Sequence, residues 1–411
     1  MDEDLTDIAA LDAGDPLRAF RDEFQLRDGL IYVDGNSLGA LPRATAGRVA
    51  EAVSGEWGEG LITSWLGAGW AAAPRRIGDK IASLLGALPG EVIVADSTSV
   101  NIFKALTAAI SLRPDRRVIL SESTNFPTDV YMMQGIEAFS GGRLRAVTVE
   151  PEAVLDRLGE DVAVLLLTQV HYKTGLVRDM AAVTRRAHEK GVLVVWDLSH
   201  SAGAIEVDLN SAEADFAIGC GYKFLNGGPG APAFIFVAGR HQAATPVLSG
   251  WFGHASPFTF EDDYRPAAGI ARFMCGTPQV LGLTALECGV DLMLRADRRE
   301  LRRKSVRLGQ LFIERMEQRC TGFGFRLLSP ADPALRGSQV SYAHENGYEL
   351  VQALKERGVI GDFRAPDVLR FGLTPLYLRY ADIVEMVERL RDVWLTRAWD
   401  TPAYRERASM T

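Results

Sequence analysis

From about residue 75 onward, short continuous apolar runs alternate with stretches whose apolar residues recur every three or four positions. Ile77, Ile81, Leu84, Leu85 and Leu88 share one face of such a stretch, which predicts a helix. A strand follows at EVIVAD (91–96), then a helix from STSVNIFKALTAAI (97–110) and a strand at RVILS (117–121). Further strands are predicted at LRAVTV (144–149), VAVLLLT (162–168), VLVVWD (192–197), DFAIGC (215–220) and PAFIFV (232–237), with a helix over Met180 to Lys190. The runs are continuously apolar rather than alternating, as in a mostly parallel sheet covered on both faces. After about residue 285 one long helical stretch runs to about Gln318. The short strands FRLLS, SQVSYA and VLRFGL and two more helices follow. The expected organisation is α/β: an arm over 1–40, a large domain over 41–284 and a smaller α/β domain over 285–411.

A length of 411 residues fits a large domain plus a smaller one. The net charge of −8 opposes a general nucleic-acid or membrane-surface role, because those need a basic field. The N-terminus MDEDLTDIAALDAGDPL is acidic and lacks a basic, then apolar, leader pattern. No apolar run approaches a membrane span. The four cysteines show no C-x-x-C spacing, and none of the six histidines pair as H-x-x-x-H, so no metal site is expected. A reducing cytoplasm is the expected location.

Several short motifs stand at predicted strand ends. WDLSH places Asp197, Ser199 and His200 at the carboxyl end of a strand, where α/β folds bind ligands. GCGYKFLNGGPGAP holds Lys223 in a glycine-rich turn, 26 residues after Asp197. A lysine amine that can form a Schiff base and an Asp that can pair with a pyridinium nitrogen suit pyridoxal phosphate. Ser97, Thr98 and Ser99 stand between a strand and a helix, where hydroxyls and free N–H groups can hold a phosphate; singly, each reads as an ordinary helix cap. In NFPTDV, Phe126 could stack on a flat ring, and Pro127 suits a first helical turn. Gly35-Asn36-Ser37-Leu38-Gly39 matches G-x-S-x-G, the nucleophile elbow of serine hydrolases, after a short apolar strand over 31–33. A P-loop pattern is missing.

Together, GNSLGALP, EWGEGLITSW, DSTSVNIFKAL, NFPTD, WDLSHSAGA, GYKFLNGGPGAP, GWFGH and LRFGLTPLY, in this order, resemble the kynureninase family of fold-type-I, aminotransferase class V-like pyridoxal-phosphate enzymes. The resemblance implies a mainly seven-stranded sheet in the large domain, with the arm joined to the small one. It implies that Lys223 binds the pyridoxal 5'-phosphate aldehyde and that Asp197 pairs with the ring nitrogen beside His200. Phe126 would stack on the ring, Thr98, Ser99, Asp129 and Thr168 would add cofactor contacts, and Tyr222 would lie near the phosphate and serve in proton transfer. Trp251 and Thr277 would reach a neighbouring subunit's site, which implies a homodimer. Some relatives have Asn where Thr277 stands. Arg370 would grip the carboxylate of L-kynurenine, with Ser37 and Trp65 in the substrate pocket, so the G-x-S-x-G match is coincidental.

The implied reaction is hydrolysis of L-kynurenine to anthranilate and L-alanine, in tryptophan degradation and NAD biosynthesis, with 3-hydroxykynurenine a poorer substrate. A cysteine desulfurase or selenocysteine lyase of the same fold is the nearest rival, which would need a reactive thiol; Cys220 and Cys275 are the candidates. Serine hydrolysis at Ser37 and a non-catalytic cofactor-binding regulator are further alternatives. The regulator would need a basic DNA-binding segment, and none is visible.

Overall fold

The computed structural model describes residues 2–244 and 246–405. Its centre is a seven-stranded sheet in the order Val92–Val94, Phe234–Val237, Phe216–Gly219, Leu193–Asp197, Val162–Thr168, Val118–Glu122, Arg145–Val149. Phe234–Val237 runs antiparallel to both neighbours; the other pairings are parallel. Every residue of Val162–Thr168 is buried. Leu165 and Leu167 join one hydrophobic core, while Val164 and Leu166 join the core on the other face. That two-sided burial is why the apolar runs do not alternate. Arg145–Val149, at the sheet edge, keeps exposed positions.

Helices Thr98–Ser111, Pro127–Phe139 and Met180–His188 connect successive strands. The loops after the strands' carboxyl ends therefore gather on one rim, where an open α/β sheet binds ligands.

A second, antiparallel sheet has the order Asp362–Arg364, Val368–Gly372, Gln339–Ala343, Arg326–Leu327. The N-terminal segment is stitched to this region: Ile31–Tyr32 pairs in parallel with Val359–Ile360, and Asp34 bridges Gly372. The helical stretch expected to run unbroken to about Gln318 is two helices, Val280–Arg295 and Arg298–Arg319. Ala296 is extended, and the Asp297 carboxylate caps the second helix by accepting from Arg299 N at 2.8 Å. Apolar spacing continues through the break, so periodicity alone hides it.

Candidate active site

The rim of the large sheet encloses a cavity of about 260 Å³ lined by Thr98, Ser99, Phe126, Asp129, Thr168, Asp197, His200, Tyr222 and Lys223, together with Tyr172. Asp197 and Thr168 are the last residues of neighbouring strands, paired across the ladder. The Asp197 carboxylate accepts from Ser199 N at 2.7 Å, which fixes its direction. Thr98 opens a fourteen-residue helix, and Ser97 caps it. Phe126 immediately precedes helix Pro127–Phe139, whose first turn carries Asp129. Thr168 donates to Asn125 Oδ1, and that same oxygen accepts from Phe126 N at 2.8 Å. The Phe126 turn is thereby tied to the strand end.

Lys223 Nζ lies 3.0 Å from His200 Nε2. Burial and then the Lys223 charge push His200 well below the usual histidine range, so the imidazole is neutral and accepts from the ammonium. Asp129 is displaced the other way: burial first, then the neighbouring Asp197, raise its carboxyl well above the usual range. Neither Asp129 carboxyl oxygen has a hydrogen-bond partner, nor has His200 Nδ1. Buried polar atoms without partners next to a cavity are the expected signature of a ligand site. Burial also raises the Tyr222 phenol, which holds its proton at neutral pH.

Glycines bring the N-terminal segment against this lysine turn. Gly39 N donates to Tyr222 O at 2.7 Å, and a Cβ at Gly39 would overlap the Lys223 carbonyl. Gly35 packs equally closely on Thr374 and Tyr377. The glycines of G-x-S-x-G thus serve close approach. Between them, Ser37 Oγ donates to Asp362 Oδ2 at 2.6 Å and accepts from Arg370 Nη2 at 3.1 Å. Its partners are a carboxylate and a guanidinium rather than a histidine base, so the nucleophile-elbow constellation is not formed here. Arg370 is buried, and its Nη1 donates at 2.7 Å to the carbonyl of Tyr172, a residue of the cavity wall. Ser37 and Arg370 therefore stand together beside the cavity.

Trp65, Trp251 and Thr277 do not line the cavity within one chain. Trp65 is half-buried against Trp70 and Phe252, and Trp251 also meets Phe252, edge-on at 4.8 Å between ring centroids. Thr277 is exposed. Residues that sequence reasoning missed are Tyr172, Asn125 and Asp362. Tyr172 and Asn125 lie in loops after strand ends, a position that flags them. Asp362 is visible only once its strand is registered against Arg370.

The kynureninase from Burkholderia pseudomallei strain K96243 is 49% identical over 408 residues, covering 98% of both chains. The chain belongs to the kynureninase family. The kynureninase from Pseudomonas fluorescens is 47% identical, covering 98% of this chain and 99% of that one. The family profile described as the kynureninase C-terminal domain matches residues 301–390. Among solved structures, a cysteine desulfurase from Thermococcus onnurineus NA1 superposes with a TM-score of 0.77 at 15% identity, covering 92% of this chain and 98% of that one. The Escherichia coli cysteine desulfurase gives 0.76 at 20% identity, covering 93% and 98%. The likeness to the desulfurases is one of fold. Cys220 is buried, and its thiol is raised by that burial; Cys275 is half-buried and likewise raised. Neither has the depressed pKa of a reactive thiol. Among the described residues no helix is long and apolar enough to cross a membrane.

Proposed function

We propose that this kynureninase-family chain hydrolyses L-kynurenine to anthranilate and L-alanine with pyridoxal 5'-phosphate. The observation that carries the reading is the pairing of Asp197 and Lys223 in one cavity, with Arg370 hydrogen-bonded to the backbone of Tyr172, a residue of that cavity's wall. The donor set fits the cofactor. Asp197 is a buried acid for the pyridine nitrogen, Phe126 a half-exposed ring face, Thr98 and Ser99 hydroxyls at a helix N-terminus for the phosphate, and Lys223 an amine for the aldehyde. Asp129, Thr168 and His200 complete the walls.

When bound, the cofactor supplies an aldehyde that captures the substrate amine and a ring that draws electrons from Cα. Arg370 holds the α-carboxylate and so presents the Cα–H to Lys223. Lys223 would take that proton as general base. His200, neutral and 3.0 Å from Lys223, keeps the amine in place without a competing charge. Tyr222, protonated at neutral pH, donates a hydrogen bond to the oxyanion of the hydrated ketone or its proton to Cβ, as the Cβ–Cγ bond breaks and Cγ leaves as the carboxyl of anthranilate. Ser37 supplies a hydroxyl at the pocket wall.

In this reading the active unit is a homodimer. Leu66 is 87% exposed and Ile62 76%, and Trp251, Phe258 and Phe260 add exposed aromatic surface. Apolar groups on that scale favour burial against a second copy. The second copy would bring Trp251 and Thr277 to the cofactor, with Trp65 and Thr277 around the aryl ring of the substrate. The division into an arm over 1–40, a large domain over 41–284 and a small domain over 285–411 belongs to the same reading, as do a cytoplasmic location and a place in tryptophan degradation and NAD biosynthesis.

The decisive experiment adds L-kynurenine to the purified, cofactor-loaded protein and follows anthranilate fluorescence. Borohydride treatment should fix the cofactor's mass to the peptide containing Lys223. Sulfide release from cysteine without anthranilate formation would transfer the chain to the desulfurase reading.

A further inference from the structure

Arg370 already has partners for four of its five N–H groups. Nε donates to Asp362 Oδ1 at 2.7 Å, and Nη2 donates to Asp362 Oδ2, a bidentate pair along the side edge of the guanidinium. The pair is built by register: Asp362 and Arg370 are direct cross-strand neighbours on Asp362–Arg364 and Val368–Gly372. Both are almost completely buried, at 3% and 2% exposure. Arg364 approaches the same carboxylate at 2.9 Å, so Asp362 is held by two cations.

This arrangement decides which edge of Arg370 meets a ligand. The side edge belongs to Asp362. The end edge, Nη1 and Nη2, donates to Tyr172 O and to Ser37 Oγ, and Tyr172 belongs to the cavity wall. A ligand carboxylate that enters along this edge replaces Ser37 Oγ on Nη2 and Tyr172 O on Nη1.

We propose that Asp362 is a positioning residue for substrate: by occupying the side edge of Arg370 it fixes the guanidinium so that the end edge, which meets Tyr172 O and Ser37 Oγ, is the one left to read the α-carboxylate. The proposal rests on the functional reading above for the identity of the ligand. A guanidinium freed from Asp362 can rotate about its side-chain torsions, and the geometric selectivity of a two-bond clasp is lost with it.

The test compares two ligands on the cofactor-loaded protein by calorimetric titration: L-alanine, which carries the α-carboxylate, and ethylamine, which does not. The variants are Asp362→Asn, which keeps size and one acceptor, and Asp362→Glu, which restores the carboxylate at a longer reach. Asp362→Asn should weaken L-alanine at least tenfold while changing ethylamine less than twofold, and Asp362→Glu should recover part of the loss. Equal weakening of both ligands would make Asp362 merely structural and overturn the proposal, as would unchanged L-alanine affinity. Tighter L-alanine binding would also overturn it, by showing that Asp362 competes with substrate for Arg370. If the parent makes no anthranilate from L-kynurenine, the functional reading fails, and the alanine–ethylamine comparison still judges Asp362.

Discussion

Lys223 Nζ and His200 Nε2 are 3.0 Å apart in a buried setting. Two full charges at that distance repel by about 5 kcal/mol even at an effective dielectric constant of ~20. The pair is tenable only with one member neutral, and burial makes that member His200. His200→Gln retains a carbonyl acceptor and should leave activity within about tenfold of the parent, less than the roughly hundredfold or more that losing a positioned acid or base costs. His200→Lys places a second permanent cation there and should cost roughly a thousandfold or more, since each 1.4 kcal/mol is tenfold. Steady-state rates of the two variants, with cofactor content measured alongside, check this. Equal losses would mean that charge at position 200 is not what matters.

Gly39 and Gly47 form a matched pair for testing the glycine argument. A Cβ at Gly39 would lie 2.7 Å from Asn226 Cα as well as overlapping the Lys223 carbonyl. Neither obstacle is a flexible side-chain end, so Gly39→Ala must displace the lysine turn. A displacement on the ångström scale costs on the order of a hundredfold in rate. Gly47 lies within helix Arg43–Glu51 and has open space around it. Gly47→Ala should stabilise by about 0.5–1 kcal/mol with activity unchanged. Activity assays and thermal melts of both variants are the measurement; a fully active Gly39→Ala would remove close approach as the reason for that glycine.

Asp34 supplies a pH dependence of unusual sign. Burial, then the nearby Asp362, raise its carboxyl to about 7, against stabilising contributions from Ser37, Arg370 and Arg364. Its Oδ1 has no partner. The folded protein therefore holds a proton that the unfolded chain releases near pH 3.9. The stability linked to this group is fully present below that value and is lost as pH rises through about 7. Asp34→Asn imitates the protonated form. Its melting temperature should match the parent's near pH 4 and exceed it increasingly up to about pH 7, with a constant gap above. Melts from pH 4 to 9 decide the matter, and a gap that shrinks with rising pH is the contrary result.

The large sheet was legible because a strand buried on both faces is a continuous apolar run, as residues 162–167 and 193–196 are. Lys223, Asp197 and Phe126 were legible because their chemistry is specific and each sits at a predicted strand end. The Asp362–Arg370 pair was not. Asp362–Arg364 is only three residues long, and its register with Val368–Gly372 depends on a connection that carries no periodic signal. The break between Val280–Arg295 and Arg298–Arg319 was hidden for a related reason: a single cap residue, Asp297, ends one period and starts another in phase. Trp65, Trp251 and Thr277 are a different case. Their expected roles depend on a second copy, so no reading of one chain's cavity reaches them.

Substrate choice gives the last expectation. Trp65 lies against Phe252 at 5.6 Å between ring centroids and meets Trp70 edge-on, so its surroundings are aromatic. Trp65 offers one donor, the indole N–H, and no acceptor, while Thr277 offers one short hydroxyl. In the dimeric reading these two residues flank the aryl ring of the substrate. A hydroxyl added to that ring is then desolvated with few groups to satisfy it. Leaving it without a partner costs about 1–3 kcal/mol, roughly ten- to a hundredfold in catalytic efficiency. L-kynurenine should therefore be preferred over 3-hydroxykynurenine by that factor. Trp65→His combined with Thr277→Asn adds donors and acceptors at both positions and should shift the preference toward the hydroxylated substrate. The measurement is the ratio of kcat/KM for the two substrates in the parent and in the double variant. Equal or reversed preference in the parent would place a satisfying group in the pocket beyond Trp65 and Thr277. An unchanged ratio in the double variant would take these residues away from the aryl ring and leave Trp65 as a packing residue for Phe252 and Trp70.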